Sequence, residues 1–434
     1  MGIVSAANKP HNPIMAYQHN EIYQSLVTSL LNNFPEVDTS EVNAIATHWL
    51  QSQSTSVPFL SLEIREYFQK ITSFAAQGIT PKNVIEQKSA PYQYSIPVIW
   101  GDIPFYKSEI NQKFTFIDLF AGIGGFRLAM QASGGKCLFS SEWDSYAKRT
   151  YEANFGEVPF GDIKKIDEKQ IPEHDVLCAG FPCQPFSLAG VSARSSLNTA
   201  HGFACETQGT LFFDIIRIVK QKRPKVLFLE NVKNLVNHDK GNTFSIIKES
   251  IEALGYSFAY KVYDASPLVP QKRERCYMVC LRDSKEKFNF PEISGPSKLL
   301  RSILDENVDD SFTISDRLWQ GHQRRTEKNL ARGAGFTAFC ADINKPSNTL
   351  VARYGKDGKE CLIPQENKNP RMLTPRECAR LQGFPEEFKI VVAKTAAYRQ
   401  FGNSVAVPVV TKIAEKITEY LNGTMNEVWA GAES

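Results

Sequence analysis

The run Thr115-Phe116-Ile117-Asp118-Leu119-Phe120 leads straight into Ala121-Gly122-Ile123-Gly124-Gly125, and that into an apolar stretch from Phe126 to Ser133. The order is strand, tight turn, helix. Further buried strands are expected at Lys136 to Ser140, Val176 to Ala179, Val226 to Leu229 and Cys276 to Leu281. Helical stretches such as Asp214 to Lys222 and Thr243 to Leu254 lie between them. Strands that alternate with helices in this way build a doubly wound sheet, so the chain is expected to be an α/β protein.

The same rhythm divides the chain. Residues 1–112 read as a mostly helical extension. Ile22, Leu26, Leu30 and Leu31 recur at helical spacing between Glu21 and Phe34. Thr39 or Ser40 is placed to cap a second helix with Val42, Ile45, Ala46 and Leu50 on one face, and Ile64, Phe68, Ile71 and Phe74 suggest a third. Ser89 to Lys107, rich in proline and aromatic residues, reads as an irregular linker. Residues 113–282 carry the α/β rhythm and residues 283–370 break it. Residues 371–425 resume it, with an amphipathic helix from Pro408 to Leu421, and 426–434 form a tail. Net charge over the whole chain is only +3. Between Arg317 and Arg376, however, twelve Lys or Arg stand against five Asp or Glu. Any basic surface is therefore local to this insert.

Hydrophobic residues at 42% and charged residues at 22% suit a soluble globular protein. No signal peptide is read at the N-terminus, and no run approaches the roughly 20 apolar residues of a membrane span. The nine cysteines form no CxxC pair and no cluster with histidine. Free thiols in a reducing, intracellular compartment are expected, with no metal site.

The glycine turn lets backbone N–H groups approach a nucleotide-like ligand. It lacks the full G-x-G-x-x-G spacing, and alone it fits a merely tight turn equally well. Its company narrows the choice. Glu142 follows Gly124 at a distance that suits a carboxylate accepting both ribose hydroxyls. Trp143 beside it offers a face for an adenine to stack on. Asp162, in Gly161-Asp162-Ile163, is placed to accept from the adenine amino group. A turn, two carboxylates and an aromatic fit an adenosyl ligand without a pyrophosphate, such as S-adenosylmethionine.

Three further elements point at one crevice. Cys183 sits between Pro182 and Pro185, just after a strand, where prolines stiffen the loop and parallel sheets place their chemistry. Glu230 ends the strand Val226 to Leu229. Arg273 and Arg275, two apart on an extended segment, point the same way and could grip a planar acceptor or a phosphate. Taken singly, each has a bland reading: a small buried thiol, a solvated strand end, a solvated charge run.

Together these elements resemble the DNA cytosine-5 methyltransferase family over about Phe114 to Leu421. The motifs stand in family order: Asp118 to Gly125, Glu142-Trp143, Gly161-Asp162-Ile163, Gly180-Phe181-Pro182-Cys183-Gln184-Pro185-Phe186-Ser187, Glu230-Asn231-Val232 and Gln271 to Arg275. After the insert come Arg371-x-Leu373-Thr374-Pro375-Arg376-Glu377-Cys378 and Gln400-Phe401-Gly402-Asn403-Ser404-Val405. Within the family the chain is most similar to bacterial Dcm-type and EcoRII-type enzymes, through His201-Gly202-Phe203-Ala204-Cys205 and Ala352-Arg353-Tyr354.

The resemblance implies a Rossmann-like S-adenosylmethionine-dependent fold with a small target-recognition domain in the insert. It implies that the Cys183 thiolate adds to C6 of a flipped cytosine, that Glu230 binds N3 and the amino group, that Arg275 holds O2, and that Arg273 supports the loop and the base. Cofactor contacts carry over onto Phe120, Ala121, Gly122, Gly124, Gly125, Glu142, Trp143, Asp162, Ile163, Gly180, Pro182, Asn403, Ser404 and Val405. S-adenosylhomocysteine would be the product. A loop from about Phe186 to Gly209 would close over the DNA. The partner would be double-stranded DNA bound by a cytoplasmic, nucleoid-associated monomer, with a short palindrome beginning CC and ending GG as target and a separate cognate restriction endonuclease. The common core does not need residues 1–112, so deleting residues 1–110 is expected to leave methylation largely intact. Two rivals share these motifs: a tRNA cytosine methyltransferase, and a DNA-binding regulator that has lost catalysis.

Overall fold

The computed structural model describes residues 13–52, 61, 64–70, 103–105, 112–182, 211–333 and 340–432. Several expected features lie outside these residues. They are Cys183 with Gln184 and Pro185, the closing loop that follows with its stretch His201 to Cys205, and Ile71 and Phe74.

Six strands form the central sheet: β1 (Phe114–Leu119), β2 (Gly135–Ser141), β3 (Val176–Gly180), β4 (Val226–Val232), β5 (Tyr256–Asp264) and β6 (Glu274–Arg282). Their spatial order is β2-β1-β3-β4-β6-β5. β2, β1, β3 and β4 run parallel, whereas β6 lies antiparallel between β4 and β5. The sequence reading missed β5. Its Tyr256, Phe258, Tyr260 and Val262 alternate with polar or small residues, the period-two signal of an edge strand, rather than forming an apolar run.

Side chains alternate across each strand, so both faces of the sheet must be covered. On one face, Ile117, Leu119, Leu177, Ala179, Leu227, Leu229 and Met278 share a core with α5 (Leu211–Lys222) and α6 (Asn242–Glu252). On the other, Phe116, Val176, Cys178, Val226, Phe228 and Tyr277 pack with α3 (Gly125–Ala132) and α10 (Val407–Ala432). α10 continues eleven residues past the expected end at Leu421, through most of the residues read as a tail. α4 (Ser145–Phe155) starts at Asp144, whose carboxylate accepts from Ala147 N–H, and stops at Gly156, which takes the left-handed conformation that glycine tolerates.

The N-terminal extension does not stand apart. α1 (Pro13–Asn33), α2 (Val42–Ser52) and a helix over 64–70 bury Leu26, Leu30, Ile45, Trp49 and Phe68 in the same core as Phe139, Phe160, Ile163 and Ile166 of the sheet domain. The His48 ring lies 4.5 Å from that of Phe160. An amphipathic face on α2 was legible in the sequence; which surface it covers was not.

The insert is built of short pieces, with one longer helix, α7 (Asp316–Ala331), and a small hairpin of β7 (Ile363–Gln365) and β8 (Lys368–Arg371). Leu300, Leu350, Tyr354 and Ile363 pack into the core that also holds α8 (Pro375–Leu381) and α9 (Lys394–Asn403). No helix among the described residues is long and apolar enough to cross a membrane.

Candidate active site

The antiparallel course of β6 makes the site. It carries the first residues of β6 to the edge where β3 and β4 end: Gly180 pairs with Glu230, Glu230 with Tyr277, and Val232 with Arg275. Arg275 Nε then lies 3.2 Å from Glu230 Oε1. Glu230 is 9% exposed. Burial raises its carboxyl pKa, and the charges of Arg275 and Arg273 counter part of that rise. Gly180 lies beside the carboxylate: a Cβ there would be in ordinary contact with Glu230 Oε2 at 3.7 Å. Asn231 Nδ2 donates to Phe181 O at 2.8 Å and so ties β4 to the segment that leads into Cys183. The sequence motif contained Asn231, but nothing in the sequence assigned it that contact.

The two arginines do not act as a pair. Arg275 faces Glu230, but Arg273 is buried and turns towards the return segment. Its Nη1 donates to Leu350 O at 2.9 Å, and its Nη2 to Gly402 O at 3.1 Å and Ser404 O at 2.5 Å. Burial and the neighbouring Arg275 push its pKa down. Two-residue spacing would align them only on one regular strand, and Arg273 stands before β6 begins. Gln271 braces the same junction: Leu350 N–H donates to its Oε1 at 2.7 Å, and its Nε2 donates to Leu381 O at 3.1 Å.

At the head of β1, Phe120 and Gly122 both take positive φ, and Ala121 O accepts from Gly124 N–H at 2.9 Å to close the turn. A side chain at Gly124 would meet the Phe155 ring, but the space above Gly122 is open. Glu142 Oε2 accepts from Gly122 N–H at 2.8 Å and Oε1 from Asp144 N–H at 2.8 Å. The ribose carboxylate expected from sequence therefore also shapes the turn. Each oxygen retains a second lone pair for a hydroxyl. Burial raises the Glu142 pKa. Trp143 is 83% exposed, with its ring open to stacking.

A short parallel bridge places the next element alongside. Glu142 N–H donates to Phe160 O at 2.8 Å, which sets Gly161 and Asp162 next to Glu142. Asp162 Oδ1 accepts from Lys164 N–H at 3.1 Å, while the Ile163 side chain is buried in the core, which leaves only its backbone for a ligand. The last motif returns to the first: a Cβ on Gly125 would lie 2.9 Å from Ser404 Oγ and 2.8 Å from Val405 Cγ2. Asn403 is exposed beside them, as is Pro182 at the mouth of β3.

An open glycine turn, a doubly engaged carboxylate, a bare indole face and a carboxylate–arginine pair thus share one sheet edge. The profile of the family described as C-5 cytosine-specific DNA methylase matches residues 114–419. The chain belongs to that family. It is 49% identical over 344 residues to the type II methyltransferase M.SsoII of Shigella sonnei, covering 78% of this chain and 88% of that enzyme. It is 45% identical over 362 residues to the DNA-cytosine methyltransferase of Escherichia coli (strain K12), covering 70% and 77% respectively. The fold is shared with the Dnmt2 methyltransferase of S. pombe, at a TM-score of 0.57 and 18% identity over 71% of this chain and 99% of that one. As a member of the C-5 cytosine-specific DNA methylases, this protein is a DNA cytosine-5 methyltransferase that uses S-adenosylmethionine.

Proposed function

We propose that the protein methylates C5 of one cytosine in a short duplex site, with Cys183 as nucleophile, as the modification half of a restriction–modification system. The Glu230–Arg275 pair carries this reading. A buried carboxyl with a raised pKa can hold or share a proton at cytosine N3, and the adjacent guanidinium can donate to O2. Both act on the ring as the thiolate adds to C6, which makes C5 an enamine carbon. Flipping is required because C5 is out of reach in a stacked duplex. Bound S-adenosylmethionine supplies the methyl group. Trp143 and Glu142 would grip its adenosine, and Asp162 its base amino group, with Ser404 closing the pocket.

Asn231 supports the reading by fixing the backbone at Phe181, two residues before Cys183. Residues 283–370 would supply target recognition, their basic side chains anchoring phosphates and a few others reading base edges. A CC…GG palindrome is the proposed target, with the protein acting as a monomer. Incubation with labelled cofactor and either duplex DNA or tRNA tests the substrate class. Label in duplex DNA alone is expected, and label in tRNA alone would refute the proposal. Bisulfite sequencing of plasmid from expressing cells then reads the target.

A further inference from the structure

The N-terminal segment reaches the sheet domain through three side chains that lie outside the residues 114–419 matched by the family. Glu41, just before α2, accepts from Gly161 N–H with both carboxylate oxygens at 3.0 Å. Thr47 Oγ1 accepts from Val158 N–H at 3.0 Å. His48 Nε2 lies 3.1 Å from Glu157 Oε1, the same oxygen that Arg127 Nη1 meets at 2.8 Å. Arg127 belongs to α3, directly after the glycine turn, and is fully buried.

These contacts grip one segment, residues 157–161, at three points. That segment has little regular structure of its own, yet it delivers Asp162 and aligns with Glu142. Lys148 on α4 is half-buried; burial lowers its pKa, and the charges of Glu41, Glu142 and Glu152 oppose that fall. A Cβ on Gly161 would stand 2.4 Å from Glu41 Oε1, which shows how closely the Glu41 side chain is fitted to the Gly161 backbone.

We infer that Glu41 and Thr47 are positioning residues for S-adenosylmethionine: the N-terminal helices form the outer wall of the adenosine pocket and hold its second carboxylate in place. The inference rests on the adenosine pocket described above. It makes the extension a brace behind the pocket, acting through residues 157–161 and touching neither cofactor nor reacting atoms.

The test uses the full-length enzyme. Glu41→Ala should raise the KM for S-adenosylmethionine and its Kd, measured calorimetrically without DNA, by the same factor of about three- to tenfold. kcat at saturating cofactor and DNA should stay unchanged. Glu41→Gln, which retains an acceptor oxygen, should recover most of the loss. If Glu41→Ala does not fold, Thr47→Val is read in the same way, since it removes the acceptor and keeps the shape. An unchanged Kd, a loss confined to kcat, or no recovery by Gln overturns the inference. Glu142→Ala serves as the control: if it too leaves the Kd unchanged, the pocket reading falls, whereas a weakened control with an intact Glu41 variant rejects the N-terminal wall alone.

Discussion

Arg275 on β6 holds Glu230 on β4 diagonally across the two strands, its Nε 3.2 Å from the carboxylate. The contact joins two motifs more than forty residues apart, and only the reversed strand brings them together. The arginine's charge partly offsets the burial that raises the Glu230 pKa. Replacing Arg275 with Gln removes that offset. The Glu230 pKa should then rise further, and the alkaline limb of the single-turnover rate should move to higher pH. A limb that moves to lower pH would exclude Glu230 as the group that titrates there.

Cys183→Ser should abolish methyl transfer while S-adenosylmethionine still binds. It should also remove the covalent adduct expected between the wild type and 5-fluorocytosine DNA. Survival of the adduct on denaturing gels would assign the nucleophile to another residue.

Asp118 tests the floor of the cofactor turn. It is fully buried, and both the charge and the backbone N–H of Arg127 act on its carboxyl. Burial pushes its pKa up to about 8, with Arg127 pulling it back and Glu142 adding to it. The folded state therefore binds this proton more tightly than the unfolded chain does. The corresponding stability is present at low pH and is lost as the pH rises towards 8. Asp118→Asn lacks this dependence. From pH 5 to 8 the wild type should lose stability relative to the variant by up to about 1.4 kcal/mol per pH unit. Parallel denaturation curves across that range would refute the assignment.

Arg273→Met should act on stability more than on chemistry. It strips the donors from the carbonyls of Leu350, Gly402 and Ser404. Each buried group left unpaired costs about 1–3 kcal/mol. Thermal unfolding should fall by several degrees, with faster hydrogen exchange at residues 350 and 400–405. A large loss of kcat at unchanged stability would instead put Arg273 on the base.

Deletion of residues 1–110 should cost solubility. Phe139, Phe160, Ile163 and Ile166 would lose the face that α2 covers. In the intact chain, Trp49→Ala should destabilise by about 3–5 kcal/mol, since Trp49 is buried edge-on against Phe68. A soluble, fully stable deletion variant would refute the shared core.

The strands of the parallel half were legible because Val226 to Leu229 and Val176 to Ala179 are apolar without interruption, as strands buried on both faces must be. The approach of Glu142 to the glycine turn was legible from its offset to Gly124. The partners of Arg273 were not, because they come from Leu350, Gly402 and Ser404, and no local pattern encodes which distant carbonyls a buried guanidinium meets. The docking of α2 was hidden for the same reason. Its apolar face and Thr47 are ordinary helix features until Val158 and Phe160 arrive beside them.

The seating of Ser404 and Val405 against Gly125 also bears on how the protein is born. The glycine turn, Glu142 and Trp143 leave the ribosome early, while the residues that press on Gly125 emerge nearly three hundred positions later. A nascent chain halted before that point carries every other part of the adenosine site yet leaves it without its far side. On the proposed pocket, a chain halted before Ser404 would lack one side of the site and should bind S-adenosylmethionine more weakly than one that includes it.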